Sequence, residues 1–197
     1  MSKSDPSAAK KERNKTIRWV VTIFFTTILI SGTISFLSDE LMARSGMVVA
    51  FLILLFIVLI GILFDIIGVA VTSADEKPFH SMAARKVPGA QASIRLLRNA
   101  ERVSSICNDV VGDICGVVGG AASAAIAVRL VQAFSFSWPN LISLVMSALV
   151  AGLTVGGKAI GKFFAVNSCT KIVYTVGKFL YTLRTFPALF QKKKKKR

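Results

Sequence analysis

The sequence predicts an all-α integral membrane protein, with about four transmembrane helices and amphipathic juxtamembrane helices on the cytoplasmic side. Three observations carry that expectation. Hydrophobic residues make up 53% of the 197 and charged residues only 18%, at a mean hydropathy of +0.63. One soluble domain of this length could not hide that much apolar surface, whereas a bilayer can. The apolar residues also come in long runs. Finally, the net charge of +15 collects at the two ends and in one central stretch between those runs. That pattern belongs to loops facing a cytoplasm and an anionic leaflet, not to a nucleic-acid-binding surface.

Residues 1–16 are polar and basic and read as a disordered tail. The first span covers about 17–37, with Arg18 as its one charge, and is long enough for ~30 Å of hydrocarbon. A signal peptide is the rival reading for this run, but the run is longer than an h-region and no A-x-A site follows. After a loop at 38–46, the second span covers about 47–72 and must tilt or protrude. Residues 75–100 alternate arginines with Ile94, Leu96 and Leu97, and are punctuated by Pro78 and Pro88-Gly89. Two short surface helices fit that rhythm.

The third span covers about 103–134 and is rich in small residues, including Gly112, Gly116, Gly119 and Gly120, which let helices approach closely in lipid. Trp138-Pro139 marks an interfacial turn. The fourth span covers about 141–157 and ends at Gly156-Gly157, a pair expected to break or bend the helix. An amphipathic surface helix at 168–189 follows, and the polybasic tail at 191–197 closes the chain. In that tail Lys192, Lys193, Lys194, Lys195, Lys196 and Arg197 are candidate contacts to anionic lipid. Basic residues crowd the N-terminus, the central stretch and the tail, so both termini are expected in the cytoplasm of a multi-pass protein of the cell membrane.

Four charges stand inside three of these spans. Asp65 lies in the second, Asp109 and Asp113 in the third, and Lys158 near the inner end of the fourth. Asp109 and Asp113 are four apart and share a helical face. A charge inside a bilayer costs at least ~2.5–3.5 kcal/mol, so these side chains are expected to face one another or a water-filled cavity. Two readings compete. In one, Asp65, Asp109 and Asp113 line a cation or proton path, with Asn108 and Ser73 as neutral oxygen ligands, because oxygen suits hard ions such as Mg2+. In the other, Lys158 is a counter-charge that neutralises aspartates, and the cluster only fixes packing. Catalysis has little support. His80 is the only histidine, and no nucleophile motif or phosphate loop appears. The three cysteines, Cys107, Cys115 and Cys169, form no disulfide or zinc pattern and read as small apolar-face residues.

A family resemblance adds to this. The stretch Phe64-Asp65-Ile66-Ile67-Gly68-Val69-Ala70-Val71-Thr72-Ser73 looks like a small-residue span exit. The rhythm Met82-Ala83-Ala84 … Leu96-Leu97-Arg98 … Arg102-Val103 follows, then the polar span start Ser105-Ile106-Cys107-Asn108-Asp109, then Gly157-Lys158-Ala159-Ile160-Gly161-Lys162. In order and pattern, about Leu63–Leu183 resembles the transmembrane domain of the CorB/CorC/CNNM magnesium and cobalt transporters, without their CBS domains. The resemblance implies divalent-cation transport in the lipid bilayer, and a homodimer is expected because one copy's few helices enclose little. It also implies departures. The family's glutamate in the first motif falls on Gly68, its metal-holding glutamate on Lys158, and its proline on Gly161.

Overall fold

The computed structural model describes residues 6–134 and 138–194, with side chains described for 16–134 and 138–185. Every regular element among them is helical: α1 (Pro6–Arg44), α2 (Met47–Ser73), α3 (Lys77–Ala84), α4 (Ala90–Arg98), α5 (Ala100–Ser105), a π-helical segment (Ile106–Gly112), α6 (Asp113–Phe134), α7 (Pro139–Asn167) and α8 (Cys169–Lys194). Four helices are long and apolar enough to cross a membrane: Thr16–Arg44, Met47–Ser73, the continuous run Ala100–Phe134, and Pro139–Asn167.

The centre is α2, the most apolar of the four, which packs against both α6 and α7. Its buried residues fall into two apolar groups with a polar interval between them. Towards the α1–α2 turn, Ala50, Leu54 and Val58 meet Met42, Ala122 and Ile126, and Ile57 meets Val110, Ile114 and Val118. Towards Ser73, Ala70 and Val71 meet Phe79, Leu97, Ala165 and Val173, where α3, α4 and α8 form a cap on the bundle. At the opposite end Arg129 of α6 donates to the Ser45 carbonyl at 3.3 Å and ties down the α1–α2 turn.

Three stretches differ from the sequence expectation. The first is α1, which takes in residues 6–16, expected as an irregular tail, and residues 38–44, expected as a loop. Residues 191–194 likewise continue α8. Third, α7 does not break at Gly156-Gly157 but runs on to Asn167. The physical reason lies across the interface. A Cβ on Gly157 would strike Ile62 of α2, and one on Gly161 would lie 2.8 Å from Ile66. These glycines serve close helix packing rather than a turn. Residues 1–5, 135–137 and 195–197 lie outside the described residues, and so does every side chain of the lysine-rich tail.

The cap depends on one tight crossing. Ser93 of α4 lies against Gly177 of α8, and its hydroxyl stands 3.2 Å from both the Gly89 and Val173 carbonyls. Gly89 precedes α4 at φ +90°, and an added Cβ would come within 2.7 Å of Lys178 Cα. Both the backbone angle and the space exclude a side chain there. Gly89→Ala is therefore expected to destabilise the protein by roughly 2 kcal/mol, measured by thermal denaturation in detergent. An unchanged midpoint would mean that α4 and α8 do not cross at this point.

Candidate intramembrane polar site

The polar interval of α2 is built from Gly61, Asp65 and Gly68, spaced four and three residues apart and so on one face. The two glycines let the third candidate span come close. A Cβ on Gly61 would lie 2.9 Å from Cys115 Cβ, and one on Gly68 would collide with the Asn108 amide. Asp65 is 5% exposed, buried in the bundle between them.

Lys158 reaches the same place from α7. Its Nζ lies 3.9 Å from Asp65 Oδ1, with side-chain exposures of 24% and 6% for lysine and aspartate. The ammonium also stands 3.4 Å from where a Gly112 Cβ would be, so Gly112 leaves it room. The neighbouring glycine, Gly157, brings α7 against α2 and so carries Lys158 inwards.

Two acceptors in this site have no donor among the described residues. One is Asp65 Oδ2, and the other is Asn108 Oδ1, both buried. Asn108 donates through Nδ2 to Ser104 Oγ at 3.2 Å, which leaves its carbonyl oxygen as the bare group. Buried polar atoms are nearly always paired, so two bare oxygens in one apolar interface are unusual. Asn108 also lies in the π-helical segment, a geometry that is rare and concentrated at functional sites.

The other predicted residues do not join them. Asp109 and Asp113 do share a side of their helix, but it is the exposed side. Asp65 faces α6 and α7, whereas these two aspartates face away from a single copy's core. Ser73 is exposed at the end of α2, eight residues and about 12 Å along the axis from Asp65. The expected convergence of three aspartates is thus replaced by an Asp65–Lys158 pair, with Asn108 packed against Gly68 one turn along α2. Among the described residues, no group of three or more His, Cys, Asp or Glu side chains could hold a metal ion. Hard cations accept carboxylate and amide oxygens, but one carboxylate does not make a closed cage. The set suits a cation that keeps much of its water.

Sequence reading missed the glycines that make the site. Gly61 and Gly68 flank Asp65 at helical spacing, and that periodicity was the available signal. No family model, curated protein or solved structure matches the chain. Fold and site therefore define a class: a chain, helical throughout its described regular elements, with four helices apolar enough to cross a membrane and a buried aspartate paired with a half-buried lysine between them.

Proposed function

We propose that the chain is a multi-pass protein of the cell membrane, with both termini in the cytoplasm, that passes a small hydrated cation along the Asp65–Asn108 site. The observation that carries this reading is the bare Asp65 Oδ2, buried in a candidate span one helical turn from Gly68, against which the equally bare Asn108 Oδ1 packs. Ionisable groups inside a membrane mark ion and proton paths by default. The pattern resemblance to the CorB/CorC/CNNM transporters makes Mg2+ or Co2+ the first ions to try. Lys158 takes the place of a metal-holding glutamate in that comparison, and here it acts as a tethered cation that an arriving ion displaces from Asp65.

A homodimer belongs to the same reading. Asp109 and Asp113 would be costly against lipid. On the exposed face of the same helix Gly116 and Gly120 have nothing within 4 Å of an added Cβ. Such a face accepts another helix closely. A second copy there would shield the two aspartates and set them beside the entrance to the path.

The test is flux into proteoliposomes holding a trapped magnesium-sensitive dye. Asp65→Asn is expected to slow uptake by roughly tenfold or more, and Asn108→Ala by less. Uptake by Asp65→Asn at the wild-type rate would sink the proposal.

A second reading rests on the 3.9 Å approach of Lys158 to Asp65. Here the pair is structural, and the protein is a non-transporting scaffold or partner subunit. Lys158→Glu separates the two within the same assay. It should strengthen Mg2+ binding if the site carries ions, and only destabilise the fold if it does not.

A further inference from the structure

At the cap, away from the polar site, an open-sided cleft of about 740 Å³ lies between α4 and α8. Its size falls within the range of small-molecule sites. Its lining includes Arg95 of α4, four residues after Gln91 on the same stripe and four before Asn99, which caps the helix. Arg184 of α8 and Lys86 of the α3–α4 turn line the same cleft. Lys86 is the one non-glycine residue with positive φ among the described residues, at 57°. No acidic residue lines the cleft, and none of the three cations has an ion-pair partner among the described residues. Like charges converge there without compensation, which favours an anion between them.

Another part of the lining is different in kind. Leu96, Val103 and Leu180 also line the cleft and supply its apolar part, the floor. Val103 stands at the start of the third candidate span, so the floor meets the level where that span would leave the bilayer. A free phosphate would use the cations and have no use for the apolar floor. An acyl chain rising from the bilayer would use both.

We propose that this cleft binds one anionic phospholipid. Its phosphate lies between Arg95 and Arg184, Lys86 approaches from the turn, and an acyl chain runs over Leu96 and Leu180. Planar guanidinium groups pair with phosphate oxygens in bidentate fashion, so the arginines carry recognition and the lysine adds charge. The rigid Ser93–Gly177 crossing keeps the two walls at fixed spacing. This site is separate from any general attraction of the lysine-rich tail to an anionic leaflet.

The test uses the full chain in phosphatidylcholine vesicles containing a minor share of photoreactive phosphatidylglycerol, with crosslinks mapped by peptide mass spectrometry. Crosslinks are expected on α4 and α8 peptides, and to fall about tenfold in the Arg95→Gln/Arg184→Gln double variant. The Arg95→Lys/Arg184→Lys variant should keep part of the signal and, with thermal melting, control for folding. Replacing Lys192–Lys196 with glutamine should leave the cleft crosslinks in place. Equal labelling by photoreactive phosphatidylcholine would overturn the proposal, as would an unchanged signal in the glutamine double variant. Displacement of the lipid by millimolar inorganic phosphate would overturn it in favour of a soluble phosphate ligand.

Discussion

Lys158→Met is expected to lower stability by roughly 3 kcal/mol, read by thermal or SDS denaturation of the purified protein. The reason is the carboxylate left behind. Asp65 is buried, and among the described residues its Oδ2 lacks a donor and only Lys158 faces its Oδ1 as a charge partner. Removing one member of a buried pair costs more than removing both, because an unpaired charge in a low-dielectric interior has no compensation. Adding Asp65→Asn to Lys158→Met should therefore recover much of the loss. The two single effects should be non-additive by at least about 1 kcal/mol, as expected for groups in contact. Strict additivity would mean that the lysine and the aspartate do not sense each other, and the structural-pair reading and the role of Lys158 as a displaced cation would lose their basis. The cycle also ranks the readings. If the double variant is as stable as wild type but carries no cation, the pair is kept for function and not for folding.

Gly68→Val is expected to be as severe, roughly 2–3 kcal/mol, through a different mechanism. Three atoms of the Asn108 amide crowd the position of an added Cβ. To make room the Asn108 amide must turn out of this contact and give up its hydrogen bond to Ser104, and valine's two further methyl groups widen the gap needed between the helices. The variant should thus lose stability and flux together. Gly116→Val and Gly120→Val supply the contrast, because those positions are open in a single copy. They should leave the melting of the monomer in detergent unchanged while weakening self-association in bilayers, measured by dilution-dependent energy transfer between labelled copies. A loss of monomer stability at Gly116 would show that this face is already covered within one chain. Unaltered association would remove the exposed-face dimer.

The helices were legible because their determinants are local. Each candidate span is an apolar run whose length alone fits a bilayer, and the two short cap helices show their amphipathic rhythm around Pro88-Gly89. Glycine was the main source of error. Gly156-Gly157 reads locally as a helix break, because glycine's backbone freedom is a property of the residue. In the bundle the same pair sits in an unbroken helix, with Gly157 against Ile62, and what matters is the missing Cβ. Sequence alone does not say which property of a glycine is in use.

Charge placement divides in the same way. Composition and position were enough to put Asp65, Asp109, Asp113 and Lys158 inside apolar runs. The four-residue spacing also set the two later aspartates on one side of their helix. Which side that is depends on how the third candidate span is rotated against α2, and that rotation comes from packing. The fit of Gly61 against Cys115 and of Gly68 against Asn108, together with the π-helical segment, turns Asn108 inwards and leaves Asp109 and Asp113 outside. The sequence by itself determined a helical chain with four stretches long and apolar enough to span a membrane, and charged residues in or at the ends of those stretches. Only the tertiary structure decided that Asp65 pairs with Lys158, because no local rule sets the rotation of one apolar helix against another when both are apolar on every side.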